Sequence, residues 1–284
     1  MYCLNPELLL KPVYFPSSFP LLPIEQLFYT LSTRMEMTLE SVAPAPPPPL
    51  QRAVAALHAR YGSDVLREAH ELSAAVPPHF STGFPTLDAL SGCGGVPQGH
   101  LTLFTGGATS GKLSVALRSL AAAQGRHRRR DPVAVLDLAG TADPQSFHLA
   151  GVDLAHTLFI RPPRIENITT LLYDVLNVRA WRCLLIDGVG TLRTSPHQLH
   201  TFDAALPELM RIVRRQRTAL LLLDDAGQPG DATAHSLSLH MHFRRTDWQL
   251  SRHGGIVGCT TRVQLERSRW ARSGAHCDLT LPFP

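Results

Sequence analysis

The sequence predicts an α/β fold: a mostly parallel sheet flanked by helices, with an antiparallel C-terminal extension and an N-terminal helix. Three observations predict it. From His100 onward, short apolar runs alternate with stretches of helical periodicity. Several of those runs are continuously apolar, as strands covered on both faces are. After Asp225 the helical spacing gives way to short strand-like segments, which read as the antiparallel extension.

The elements follow in order. Residues 1–49 read as a disordered or dispensable tail. Its stretch 12–24 is uncharged but holds four prolines, which suits neither a membrane span nor a signal peptide. Met35 and Met37 mark where an over-extended start would end. APAPPPP (43–49) is a polyproline II linker. Residues 50–80 form an N-terminal helical segment. Leu50, Val54, Leu57 and Tyr61 share one helix face and Gly62 ends it. That face packs on its own core or docks on a neighbouring subunit; the spacing leaves both open.

Residues 81–284 form the core. LTLF (101–104) runs into a glycine loop and a helix through Gln124. PVAVLDL (132–138) is a strand, followed by a helix to about Ala150. TLFI (157–160) is a strand and 165–178 a helix. CLLID (183–187) is a strand ending in an acid. Leu206, Leu209, Met210 and Val213 mark a helix, and ALLLLDD (219–225) the next strand. A loop of small residues leads to LSLHMHF (237–243), with short strands around 246–251, 256–265 and 278–283.

The formal charge of +4 permits a nucleic-acid partner without requiring one. Nearly all of the basic charge is Arg; the only lysines are Lys11 and Lys112. The five cysteines are scattered and form no C-x-x-C, so a reducing cytoplasm is expected. No run approaches the ~18 apolar residues of a membrane helix.

Lys112 closes Gly106-x-x-x-x-Gly111-Lys112, formed by Gly106, Gly107, Ala108, Thr109, Ser110, Gly111 and Lys112. Chance supplies about 0.01 such matches at this Gly and Lys usage. The loop follows a strand and opens a helix. Glycines let backbone N–H groups wrap phosphates, the helix N-terminus adds positive potential, and lysine reaches the terminal phosphates. Asp187, at the end of CLLID, is placed to orient Mg²⁺. The residue after the lysine, where a Mg²⁺-binding Ser or Thr belongs, is Leu113.

The chain resembles the RecA recombinases over residues 50–284. The segments that carry the resemblance are STGFPTLDALSGCGGVPQGHLTLFTGGATSGK (81–112), AVLDLAGTADPQSFHLAGVDLAHTLFIRPP (134–163), CLLIDGVGTL (183–192) and GIVGCTTRVQLERSRW (255–270). LQRAVAALHARYGSDVLREA (50–69) is similar to the family's N-terminal helix, which favours subunit docking for that face. The resemblance implies ATP bound between subunits, a filament or other homo-oligomer, single-stranded DNA as partner, and no membrane. It also implies that the family's separate C-terminal domain is lacking. By position, 106–112 match the phosphate loop and Asp187 the Walker B acid. Asp143 matches an acid near adenine. Arg267 and Arg269 match two lysines that reach the neighbour's ATP phosphates.

Departures from the family are equally specific. Ala139 stands where the water-activating Glu belongs, and Asp224-Asp225 where a γ-phosphate-sensing Asn-Gln pair belongs. Ser146 replaces an adenine-stacking Tyr, with Phe147 beside it. Losing a metal ligand weakens Mg²⁺ binding, and losing the acid costs orders of magnitude in rate. The expectation is a protein of DNA recombination or repair that binds ATP and single-stranded DNA with weak or absent hydrolysis. The alternative is a non-catalytic regulatory or scaffolding paralogue. DNA contact is expected on loops around 192–200 and 226–240, with Arg193, Arg244, Arg245 and Arg252 supplying charge. GRHRRRD (125–131) reads as a solvated turn. His235, His240 and His242 lack the Cys or carboxylate that would complete a metal site.

Overall fold

The computed structural model describes residues 49–62, 76–125, 130–164, 166–178, 181–225 and 229–283. The tail and most of the linker, the distal part of the 50–80 segment, the centre of the basic turn and the start of the second DNA loop lie outside the described residues. The chain divides into two units, residues 1–73 and 74–284.

In the first unit, α1 (Pro49–Tyr61) is the expected helix. Gly62 ends it at φ +90°, a conformation that suits glycine, with its N–H donating to the His58 carbonyl at 2.9 Å. Leu57 and Tyr61 are exposed.

The second unit opens with β1 (His79–Phe80), α2 (Pro85–Ser91) and β2 (Val96–Pro97), the two strands pairing with each other. The main sheet then draws on β3 (Leu101–Thr105), β4 (Val133–Asp137), β5 (Thr157–Ile160), β6 (Cys183–Asp187) and β7 (Ala219–Asp224). It is completed by β8 (Leu237–Leu250), β9 (Ile256–Ser268) and β10 (His276–Pro282). Between strands lie α3 (Lys112–Gln124), α4 (Pro144–Leu149), α5 (Ile168–Val178), α6 (Pro196–Gln216) and α7 (Asp231–Ser236).

The strand order is β10-β9-β8-β3-β7-β6-β4-β5. Strands β8 through β5 are mutually parallel, and β9 and β10 are antiparallel. The continuous apolar runs are explained by two cores. Phe104, Val135, Leu185 and Leu221 face α3 on one side of the sheet. Leu103, Leu136, Leu184 and Leu220 face α5 and α6 on the other. Each such side chain taken out of water contributes about 1.5–3 kcal/mol.

Three expectations change. The strands expected at 237–243 and 246–251 are one strand, β8, which pairs parallel to β3 before it meets β9 antiparallel. Register shifts at Arg245/Asp247 let the pairing continue through the polar RRTD stretch. The loop expected at 192–200 is a 3₁₀ turn (Val189–Thr194) and the start of α6. Pro196 sits in the first turn of α6, where its missing N–H costs nothing. The described part of 226–240 likewise folds into α7 and the start of β8.

Candidate nucleotide site

The glycine loop leaves the C-terminal end of β3, between the ends of β7 and β8. Gly106 N–H donates to the Asp224 carbonyl at 3.1 Å, tying the loop to β7. Gly106 has φ +148°, and a Cβ there would stand 2.3 Å from the Phe243 carbonyl oxygen. Gly111 has φ +89°, and a Cβ there would meet Leu281 Cδ1 at 2.3 Å. Gly107 has nothing within 4 Å of its Cβ position and faces open space. Thr109 takes φ +63°, a left-handed conformation, and its hydroxyl bonds the Arg245 guanidinium. Thr261 Oγ1 donates to the Ser110 carbonyl at 2.9 Å, while Ser110 Oγ is buried without a partner.

The loop forms one wall of a cavity of about 470 Å³. Leu113, Ala139, Asp187, Asp225 and Phe283 also line it. A larger groove of about 810 Å³ is lined by residues that precede β4, β6 and β7, such as Pro132, Arg182 and Arg217. It has no glycine loop or lysine and is the less suited to phosphate.

Lys112 is the centre of the cavity's electrostatics. Its ammonium donates to the Gly106 carbonyl at 2.8 Å, the Gly107 carbonyl at 3.3 Å and Asp225 Oδ1 at 2.5 Å. Three donors meet three acceptors. The Lys112 side chain is 10% exposed and that of Asp225 75%, so the carboxylate reaches in from the surface.

Asp187 ends β6 opposite Asp137 of β4. Its pKa is raised by burial first, then by the Asp137 and Asp225 charges, against the pull of Lys112. Asp137 is fully committed elsewhere. It accepts from the Thr141 and Ala142 N–H groups at 3.2 and 3.0 Å, and from Arg161 Nε and Nη2 at 2.9 and 2.7 Å. It is therefore not free to take the place of the carboxylate that the resemblance led one to expect at position 139. Ala139 is exposed at the cavity, where Leu138 N–H donates to the Asp187 carbonyl at 3.0 Å. A Cβ on Gly188 would stand 2.7 Å from the Ala139 Cβ.

The donor set fits nucleotide phosphates: a glycine loop open at Gly107, an orphaned Ser110 hydroxyl and a lysine. It fits Mg²⁺ less well. The residue after the lysine is the apolar Leu113, and of the two carboxylates lining the cavity, Asp187 and Asp225, the second already stands on Lys112.

The RecA N-terminal domain family matches residues 49–199. This chain belongs to the RecA family. Protein RecA of Ruminococcus albus is 23% identical over 259 residues, covering 82% of this chain and 64% of that protein. The counterpart in Aquifex pyrophilus is 26% identical over 188 residues, covering 62% and 53%. That in Chlorobium limicola is 30% identical over 154 residues, covering 54% and 43%. The chain thus spans less than two thirds of the length of each of these RecA proteins.

Other residues singled out by the RecA resemblance lie outside this cavity. Asp143 caps α4, accepting from Gln145 N, Ser146 N and Ser146 Oγ at 3.2, 3.1 and 2.9 Å. The Ser146 bond, then the backbone bonds, hold its pKa low. Arg267 Nη1 donates to the Ala234 carbonyl at 2.6 Å. Arg269 has its pKa lowered by burial first, then by Arg214 and Arg267. These three guanidiniums form a cationic cluster near His100, whose pKa falls to about 4 through burial, Arg269 and Arg214.

Of the expected DNA-binding residues, Arg193 makes a bidentate pair with the buried Asp224, at 2.7 and 2.5 Å. Arg245 is tied to Thr109 and stacks over Trp248 at 3.9 Å. Arg244 is exposed. His240 and His242 both bond Thr105 Oγ1, while His235 lies on α7 donating to the Asp231 carbonyl.

Sequence reasoning missed Arg161, Arg214 and Phe283. Arg161 directly follows β5, the strand that pairs with β4, and the register of that pair brings it level with Asp137. An acid ending one strand and an arginine following the next was the available signal. Nothing local marks Arg214 or Phe283.

Proposed function

We propose that this RecA-family chain acts in DNA recombination or repair in the bacterial cytoplasm, binding ATP and single-stranded DNA and self-associating, with little or no hydrolysis. The observation that carries this is the intact phosphate loop facing a cavity in which position 139 supplies no carboxylate. The nearby Asp137 is consumed by Arg161 and backbone N–H groups. The loop N–H groups and Lys112 would hold the phosphates, and Asp187 a weakly bound Mg²⁺. Bound nucleotide supplies the negative charge that the Arg267–Arg269–Arg214 cluster of a neighbouring subunit is suited to meet. Burial first, and then the charges of Arg214 and Arg267, lower the Arg269 pKa, and a bound anion would offset both. Arg244, exposed on β8, supports a contact to the DNA backbone. Among the described residues no helix is long and apolar enough to cross a membrane.

A second reading, a non-catalytic regulatory or scaffolding member of the family, is favoured by the Lys112–Asp225 pair, which neutralises the lysine without nucleotide. Anisotropy titration of single-stranded DNA with and without ATP, across salt concentrations, tests the first. ATP-sensitive binding supports it; DNA affinity indifferent to ATP contradicts it. DNA-stimulated ATP turnover that Lys112→Ala abolishes would exclude the second.

A further inference from the structure

We infer that Asp225 makes this site selective for a nucleoside diphosphate over a triphosphate. The inference rests on the nucleotide reading above and deepens it. All three Lys112 donors are engaged in the nucleotide-free site: two are on loop carbonyls and the third is on Asp225 Oδ1 at 2.5 Å. In a glycine loop of this kind the lysine serves the outer phosphates. Here a carboxylate already stands on it as the anion. Asp225 is not there by chance of a wandering side chain. It directly follows β7, and the Asp224 carbonyl beside it accepts the Gly106 N–H at 3.1 Å. Asp224 itself is anchored by Arg193.

The charge around the cavity points the same way. Among the described residues its charged lining is one cation, Lys112, and two carboxylates, Asp187 and Asp225. A diphosphate uses the loop N–H groups and the start of α3, and Lys112 can turn from the glycine carbonyls to it while keeping Asp225. A third phosphate must share Lys112 with Asp225 or displace it, and either way it stands beside two carboxylates. Leu113 supplies no hydroxyl to hold a screening cation there. Because Asp225 is largely exposed, solvent moderates the repulsion, and about a tenfold preference is expected.

The test is calorimetric titration of the full chain with ADP and with ATP, both in Mg²⁺, for wild type, Asp225→Asn and Asp225→Glu, with thermal melts confirming folding. Wild type should bind ADP about tenfold more tightly. Asp225→Asn should narrow the gap to about threefold or less, mainly by gaining ATP affinity, and Asp225→Glu should keep the preference. Equal binding of ATP and ADP by wild type, or a ratio unmoved by Asp225→Asn, overturns the inference and leaves nucleotide binding standing. ATP bound more tightly than ADP and weakened by Asp225→Asn also overturns it, since Asp225 would then be a cation ligand. Binding of neither nucleotide overturns the nucleotide reading and this inference together.

Discussion

Two positions set the character of this site. Ala139 brings no carboxylate to the cavity, and Asp225 stands on the lysine. Among the described residues, Asp137 and Asp224, the other strand-end acids nearby, are each held by an arginine, Arg161 and Arg193. Removing either arginine would leave a buried carboxylate unpaired, so both acids are committed to the fold. The histidines behave in the opposite sense. His100 and His240 are kept neutral, with pKa values near 4, by burial first and then by nearby Arg269 and Arg214 or by His242. Their folded-state values lie below the ordinary 6.5, so the unfolded chain binds more protons between those limits. Their contribution to stability is complete above pH 6.5 and is lost as pH falls through 4. Thermal melts from pH 7.5 to 4 should show Tm falling below about 6.5, less steeply in His240→Gln. A flat profile over that window would contradict the assignment.

The phosphate loop depends on packing between distant strands. Gly111 needs its left-handed φ and also the space under Leu281 of β10. Gly111→Ala should cost about 1–3 kcal/mol in urea unfolding and weaken nucleotide binding. Unchanged stability would mean that β10 yields freely. The loop, β3, β6 and β7 were legible in the sequence because their signals are local: a motif, continuous apolar runs, a strand-end acid. The stretch 192–200 was misread because a polar run hid a helix start whose apolar face, Leu199, Phe202 and Leu206, begins late. β8 was split in two because its bulge and polar RRTD stretch break the apolar run without breaking the ladder. The Lys112–Asp225 pair joins residues 113 apart in sequence, and the family resemblance marked Asp225 only as a departure from an expected polar pair. Arg193, expected at DNA, is used by Asp224 for the same reason: its partner lies 31 residues away on another strand.

Across the molecule, the phosphate cavity and the Arg214–Arg267–Arg269 cluster are separate sites of opposite character. Self-association would bring one subunit's cluster to another's nucleotide. Arg267→Ala/Arg269→Ala should then lower nucleotide affinity about tenfold at protein concentrations where subunits associate, and not in dilute protein. Equal affinity for wild type and variant at both concentrations would remove the trans role. The central claim is a RecA-family core that binds nucleotide without turning it over. ATP hydrolysis should be measured with and without single-stranded DNA for wild type, Lys112→Ala and Leu113→Thr/Ala139→Glu, with nucleotide binding measured alongside. Ala139 is exposed at the cavity, so a longer acid has room. Wild type should bind nucleotide, hydrolyse it no faster than Lys112→Ala, and be exceeded by the double variant. DNA-stimulated hydrolysis by wild type that Lys112→Ala abolishes would contradict it.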